Sequence, residues 1–267
     1  MIPLCLSGQL KHLKNMKKPN KPSSTRSGGF TLIEVLITIT IIIVIAGLAT
    51  IGTKKLRQKA DSVTALKRIT GFAQANALYA VDHNGQYVPA YSFDEESKPG
   101  IPWHYNPSFL EALIGENLSL DEAEEFEGVD GLPEQVLDPV VVRAKSRYWS
   151  RISASFAYNN ENVPGGGWGQ PGTSRAHTIT SVKNPSEAFA FITATDWIAN
   201  YGGRLLWKKS PVEGKTADSK IAYRHGDRAV VAYYDGHGGT ISLDEMRAID
   251  KKGGINNVFW GGEKRAK

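Results

Sequence analysis

Cysteine is almost missing from this sequence: Cys5 is the only one in 267 residues. Residues 30–267 therefore hold no disulfide, no thiolate metal site and no thiol nucleophile. Acidic side chains are absent from residues 1–29, where Lys11, Lys14, Lys17, Lys18, Lys21 and Arg26 stand. The net charge of +5 is a property of that leader, since the rest carries 26 basic against 27 acidic side chains. A nucleic-acid partner loses its electrostatic support on that division, and none is expected. Neither HExxH nor GxSxG occurs, so the commonest marks of zinc-protease and serine-hydrolase chemistry are missing. Proline is absent from Phe30 to Val88, which leaves a long stretch free to be helical.

Within that stretch Phe30 to Ile51 is a mainly apolar run with one charge, Glu34. At helical rise it reaches roughly 33 Å, enough to cross a hydrocarbon core. A secretory signal peptide would put its small-residue cleavage site after the apolar run. Here Gly28-Gly29 precedes it. A carboxylate inside a membrane helix costs about 2.5–3.5 kcal/mol and calls for a partner. A cut after Gly29 would supply one, by freeing the α-amine of Phe30 about one helical turn from Glu34. The same pair formed between neighbouring chains would set their axial register. Lys54, Lys55, Arg57 and Lys59 follow the segment on its outer side and weaken the positive-inside signal. Met16 offers a second start, with the leader MKKPNKPSSTRSGG.

These residues carry a resemblance. "GGFTLIEVLI" is similar to the prepilin-type cleavage and methylation motif of type IV pilins and type II secretion pseudopilins. The resemblance implies a membrane peptidase and methyltransferase that cuts after Gly29 and N-methylates Phe30, with Glu34 serving subunit recruitment and register. It implies an inner-membrane, single-pass precursor with a cytoplasmic N-terminus and a periplasmic head, partnered by assembly-platform proteins and other pilin-like subunits. Type IV pilins often carry a proline in the second half of this helix; this chain does not.

Apolar positions continue past the membrane at Leu56, Ala60, Val63, Ala65, Leu66, Ile69, Phe72, Ala73 and Ala77, predicting one stripe on a helix over about 31–81. "DHNGQYVP" then stops it. "SFLEALIG" and "SLDEAEEF" read as helices capped by Ser108 and Ser119. The acidic cluster Asp121 to Glu127 reads as a solvated helix face. "VVVRA", "RISASFAYN", "HTITSV", "EAFAFITA", "RAVVAYYD" and "GTISL" read as strands. The fold class expected is α+β and pilin-like: a long N-terminal helix packed on an antiparallel β-rich head. Its parts are a leader (1–29), a membrane half (30–53), an amphipathic half (54–81) and the head (82–267).

"RHGDRAVVAYYDGHGG" puts His225 ten residues before Asp235-Gly236 and resembles the C-terminal His-X9-Asp-Gly signature of a bacterial pseudopilin-like family. Members of that family often have Cys-Pro where this chain has Asp138-Pro139. The residues themselves read as a β-meander with tight turns, which sends His225 and Asp235 to opposite strand ends. His225, Asp227, Asp235 and His237, with His83 and Asp196 further off, are candidate ligands for calcium or another cation. Local turn hydrogen bonding is the competing use of these groups. No cofactor is expected. The function expected is a structural, non-enzymatic filament subunit; the alternative is a membrane-anchored binding protein that takes polysaccharide on Trp103, Trp149, Trp168 and Trp197.

Overall fold

The computed structural model describes residues 29–92, 101–115, 132–144, 155–162, 176–205 and 220–261. The proline-free stretch is one helix, α1 (Leu32–Asp82). It stops where Asn84 and Gly85 both take positive φ, 52° and 79°. The contacts divide the chain into two compact units, between Thr50 and Ile51.

In the first unit the large apolar side chains from Ile33 to Leu48 are exposed. The hydroxyls of Thr38 and Thr40 donate back to the carbonyls of Glu34 and Leu36. Their polar atoms are thus satisfied within the helix, as an apolar surrounding requires. By length and composition this is the one helix among the described residues fit to cross a membrane.

In the second unit α1 buries Ala65, Ile69, Phe72, Ala73, Asn76 and Ala80. The single stripe expected from the sequence breaks down here, because Leu56 and Val63 are 69% and 61% exposed. At 100° per residue they lie roughly 160–180° around the helix from Phe72, on its outward side. Asn76 stays polar on the buried face because its Oδ1 accepts from the amide of Val88, 2.9 Å away, fastening the chain that leaves the helix.

Two short strands, β1 (Tyr91–Ser92) and β2 (Ile101–Pro102), pair antiparallel. α2 (Pro107–Ile114) and α3 (Pro139–Ala144) follow. Then comes a five-stranded sheet of β3 (Phe156–Asn159), β4 (Phe189–Thr193), β5 (Ile198–Ala199), β6 (Arg228–Tyr233) and β7 (Gly238–Ser242). Its order is β5-β3-β4-β6-β7. Only β3 and β5 run parallel. The α+β class with a long helix and an antiparallel-rich sheet is therefore the fold of the chain.

Alternation along the strands makes two cores. On one face Phe72 meets Phe156, Phe191 and Trp103 at ring-centroid distances of 5.3, 5.6 and 5.8 Å. On the other, Phe189, Ile192, Val231 and Ile241 pack with Met246 of α4 (Leu243–Lys251) and with Phe259 and Trp260. A register shift between Phe189 and Phe191 lets the neighbours Ala190 and Phe191 share the first core. Gly238 allows close approach of β7 to α1, for a Cβ there would stand 2.5 Å from Thr70 Cγ2 and 2.7 Å from Leu66 Cδ1.

Three local readings are corrected. α2 is capped by Asn106, whose side chain accepts from the Phe109 amide, while Ser108 lies inside the helix behind Pro107. "VVVRA" is helical, because Asp138 accepts from the Val140 amide and Pro139 has the φ of a first helical residue. Capping thus overrides the strand preference of three consecutive valines. "HTITSV" makes a single bridge, Thr178 to Gln86, and then a turn closed by Thr178 and Ser181. The helix proposed at Ser119, the acidic cluster, Trp149 and Trp168 lie outside the described residues.

Candidate functional site

Gly29 and Phe30 precede α1, and Phe30 is 87% exposed. Thr31 caps the helix, its carbonyl accepting from the Val35 amide. Glu34 Oε2 accepts from the Thr31 amide at 2.8 Å and from its hydroxyl at 2.9 Å. Thr31 Oγ1 in turn accepts from the Glu34 amide at 3.3 Å. This is a capping box, and it places an anion in the first turn, where the helix dipole favours it. The carboxylate thus has a partner in Thr31. Sequence reasoning missed that residue, although "TLIE" is a T-x-x-E signature like the two recognised further along.

The head places the other candidates apart. His225 is at the start of the turn into β6: its amide donates to the Arg228 carbonyl across Gly226 and Asp227, both at positive φ. Asp227 is thereby a turn residue. Asp235 and His237 stand at the far end of the hairpin, where Asp235 Oδ1 lies 2.6 Å from His237 Nδ1 and accepts from the His237 amide. The His237 ring stacks on Tyr233 at 4.2 Å. His83 stacks on Tyr79, and buried Asp196 accepts from the Trp197 amide. Among the described residues no three imidazole, carboxylate or thiol groups converge on a cation position.

His225 instead meets a residue 87 positions away. Its Nε2 lies 3.0 Å from Asp138 Oδ2, with both side chains fully buried. Arg224 Nη1 lies 3.5 Å from the same oxygen. Burial pushes the Asp138 carboxyl up, but the Arg224 charge, His225 and the Val140 amide outweigh it and hold it below the ordinary range. The cluster joins the start of α3 to the turn before β6. α3 is also tied to α1 by Arg143 to Asp61 at 2.5 Å, and the turn before α3 by Arg68, which donates to the Glu134 carbonyl at 3.0 Å.

Of the four tryptophans offered for a sugar, Trp103 is fully buried, its indole N–H donating to the Trp197 carbonyl at 2.7 Å, and Trp197 is part-buried. Two more histidines are interior. Burial among Trp103, Tyr105 and Trp197 brings His104 down to about 3. Burial also lowers His177 to about 4, partly offset by a hydrogen bond to the Glu161 backbone.

Residues 24–50 match the family model described as the prokaryotic N-terminal methylation motif. No curated protein matches the chain. No solved structure matches it either. The exposed Gly29-Phe30 junction, the Thr31–Glu34 box and the first turns of α1 all fall inside that matched segment, and what it carries is the cleavage and methylation motif of prepilin-type proteins.

Proposed function

We propose that the chain is a structural, non-enzymatic pilin-like subunit. A prepilin peptidase cuts it after Gly29 and N-methylates Phe30; it then joins a type II secretion pseudopilus or a type IV pilus-like filament through α1. Its precursor spans the inner membrane once, with the leader cytoplasmic and the head periplasmic. The observation that carries this reading is the methylation motif set directly against an apolar helix whose only charge in the first 22 residues after Gly29 is Glu34. Mass spectrometry of the mature N-terminus in cells with an active prepilin peptidase tests it. The expected species begins with N-methylphenylalanine at Phe30. An intact leader in those cells sinks the reading.

Glu34 then has two successive uses. Before cleavage it caps α1 through Thr31. After cleavage it meets the new amine of its own chain or of a neighbour. The two uses separate by substitution, because a glutamine side chain can still accept a hydrogen bond from the Thr31 amide but carries no charge. Glu34→Gln and Glu34→Ala are both expected to be processed normally and to be depleted from sheared filaments by similar amounts. Depletion by Ala alone would assign the role to capping, and normal incorporation of both would remove any role in assembly.

A further inference from the structure

The four cations after the apolar run have no part in the function proposed above. Lys54, Lys55, Arg57 and Lys59 are all exposed. None of them has an ion pair with another described residue. From Lys54 to Lys59 there is no acidic residue, and the nearest, Asp61, is buried and held by Arg143. At 100° per residue the four side chains point about 60° or more away from Leu56 on either side, forming a collar open only on the apolar outward face.

Helical rise gives this collar a depth. Phe30 to Ile51 covers roughly 33 Å, about the thickness of a hydrocarbon core. Lys54 to Lys59 then covers about 7.5 Å, close to the roughly 5–7 Å of one headgroup layer. A helix that fills the core with its apolar run therefore brings Lys54 and Lys55, about 4.5–6 Å past Ile51, into the phosphate layer on the side of the head, with Arg57 and Lys59 about 9–12 Å past it at the outer edge. Their long stems would let the charges of Arg57 and Lys59 reach back to the same phosphates.

We propose that this collar is a binding surface for the headgroups of anionic phospholipids in the leaflet facing the head. It rests on the membrane-spanning reading of α1. Each basic side chain near an anionic surface gains about fivefold in binding. Four on one helix would gather acidic lipids around each subunit and hold it at a fixed depth until it is withdrawn for assembly.

The test is the full chain reconstituted in phosphatidylcholine vesicles containing phosphatidylglycerol, with trace spin-labelled lipid of either headgroup. The ratio of motionally restricted phosphatidylglycerol to restricted phosphatidylcholine is the readout. A severalfold preference for phosphatidylglycerol is expected. It should fall to near unity in the variant Lys54→Gln, Lys55→Gln, Arg57→Gln, Lys59→Gln, and should survive when the three lysines are replaced by arginine. Equal restriction of both lipids by the unsubstituted chain overturns the proposal and leaves an acidic protein as the partner of the collar. A preference that persists in the glutamine variant overturns it too. Failure of the chain to enter the bilayer, seen as no restricted lipid of either kind, overturns the membrane reading beneath it.

Discussion

Asp138→Ala is expected to lower the stability of the head by about 3–5 kcal/mol, the cost of taking the carboxylate out of a buried charge pair. Arg224 is the group that loses its carboxylate: its side chain is 4% exposed and Asp138 lies 3.5 Å from it, while its Nη2 still donates to the Ala194 carbonyl. The substitution also removes the partner of His225 and the acceptor for the Val140 amide at the start of α3. Against a typical total of about 5–15 kcal/mol, this is a large fraction. Urea unfolding of the full chain in detergent, followed by near-ultraviolet circular dichroism, measures it. The double variant Asp138→Ala, Arg224→Met should recover much of the loss, since removing both charges leaves no buried guanidinium facing the emptied carboxylate position. A loss below about 1 kcal/mol in the single variant would mean that the pair does not hold α3 in place.

Acid should weaken the head well before its carboxylates titrate. His104 and His177 are held near 3 and 4 by burial, while an unfolded histidine titrates near 6.5. Both are neutral in the fold. As pH falls below 6.5 the unfolded chain takes up protons that the folded chain refuses, so stability declines with pH. At pH 5 the difference is about 1.5 pH units for each, or roughly 2 kcal/mol per histidine and 4 together. Asp138, whose folded value is lowered, adds its own loss as pH falls from the ordinary aspartate range toward that lower value. Denaturant midpoints at pH 7.5 and pH 5 check this. His104→Phe should remove about half of the difference if the aromatic pocket accepts the ring. Equal midpoints at the two pH values would contradict the burial of both imidazoles.

The elements legible in the sequence were those whose signals are local. α1 ends at Asp82, one residue past its expected limit, because Asn84 and Gly85 mark a turn on their own. The β6–β7 hairpin follows from alternation and the Asp-Gly pair, as do the opposite positions of His225 and Asp235. α3 misled, because three valines suggest a strand while the deciding groups are the Asp138 cap and the proline after it. The outward placement of Leu56 and Val63 also escaped, since a helix with apolar residues on two sides gives no single stripe to read. The Asp138–His225 pair had no signal at all. Contact across 87 residues depends on how the chain folds back, which residue type and spacing do not encode.

Gly29 has a quieter implication. A Cβ built there meets nothing within 4 Å, and its φ is not in the left-handed region. Alanine at that position would therefore leave α1, its cap and the head undisturbed. If cleavage nonetheless demands glycine, the demand comes from outside this fold, from whatever enzyme makes the cut. One position in this chain is then shaped by the contours of another protein, encountered once and left behind.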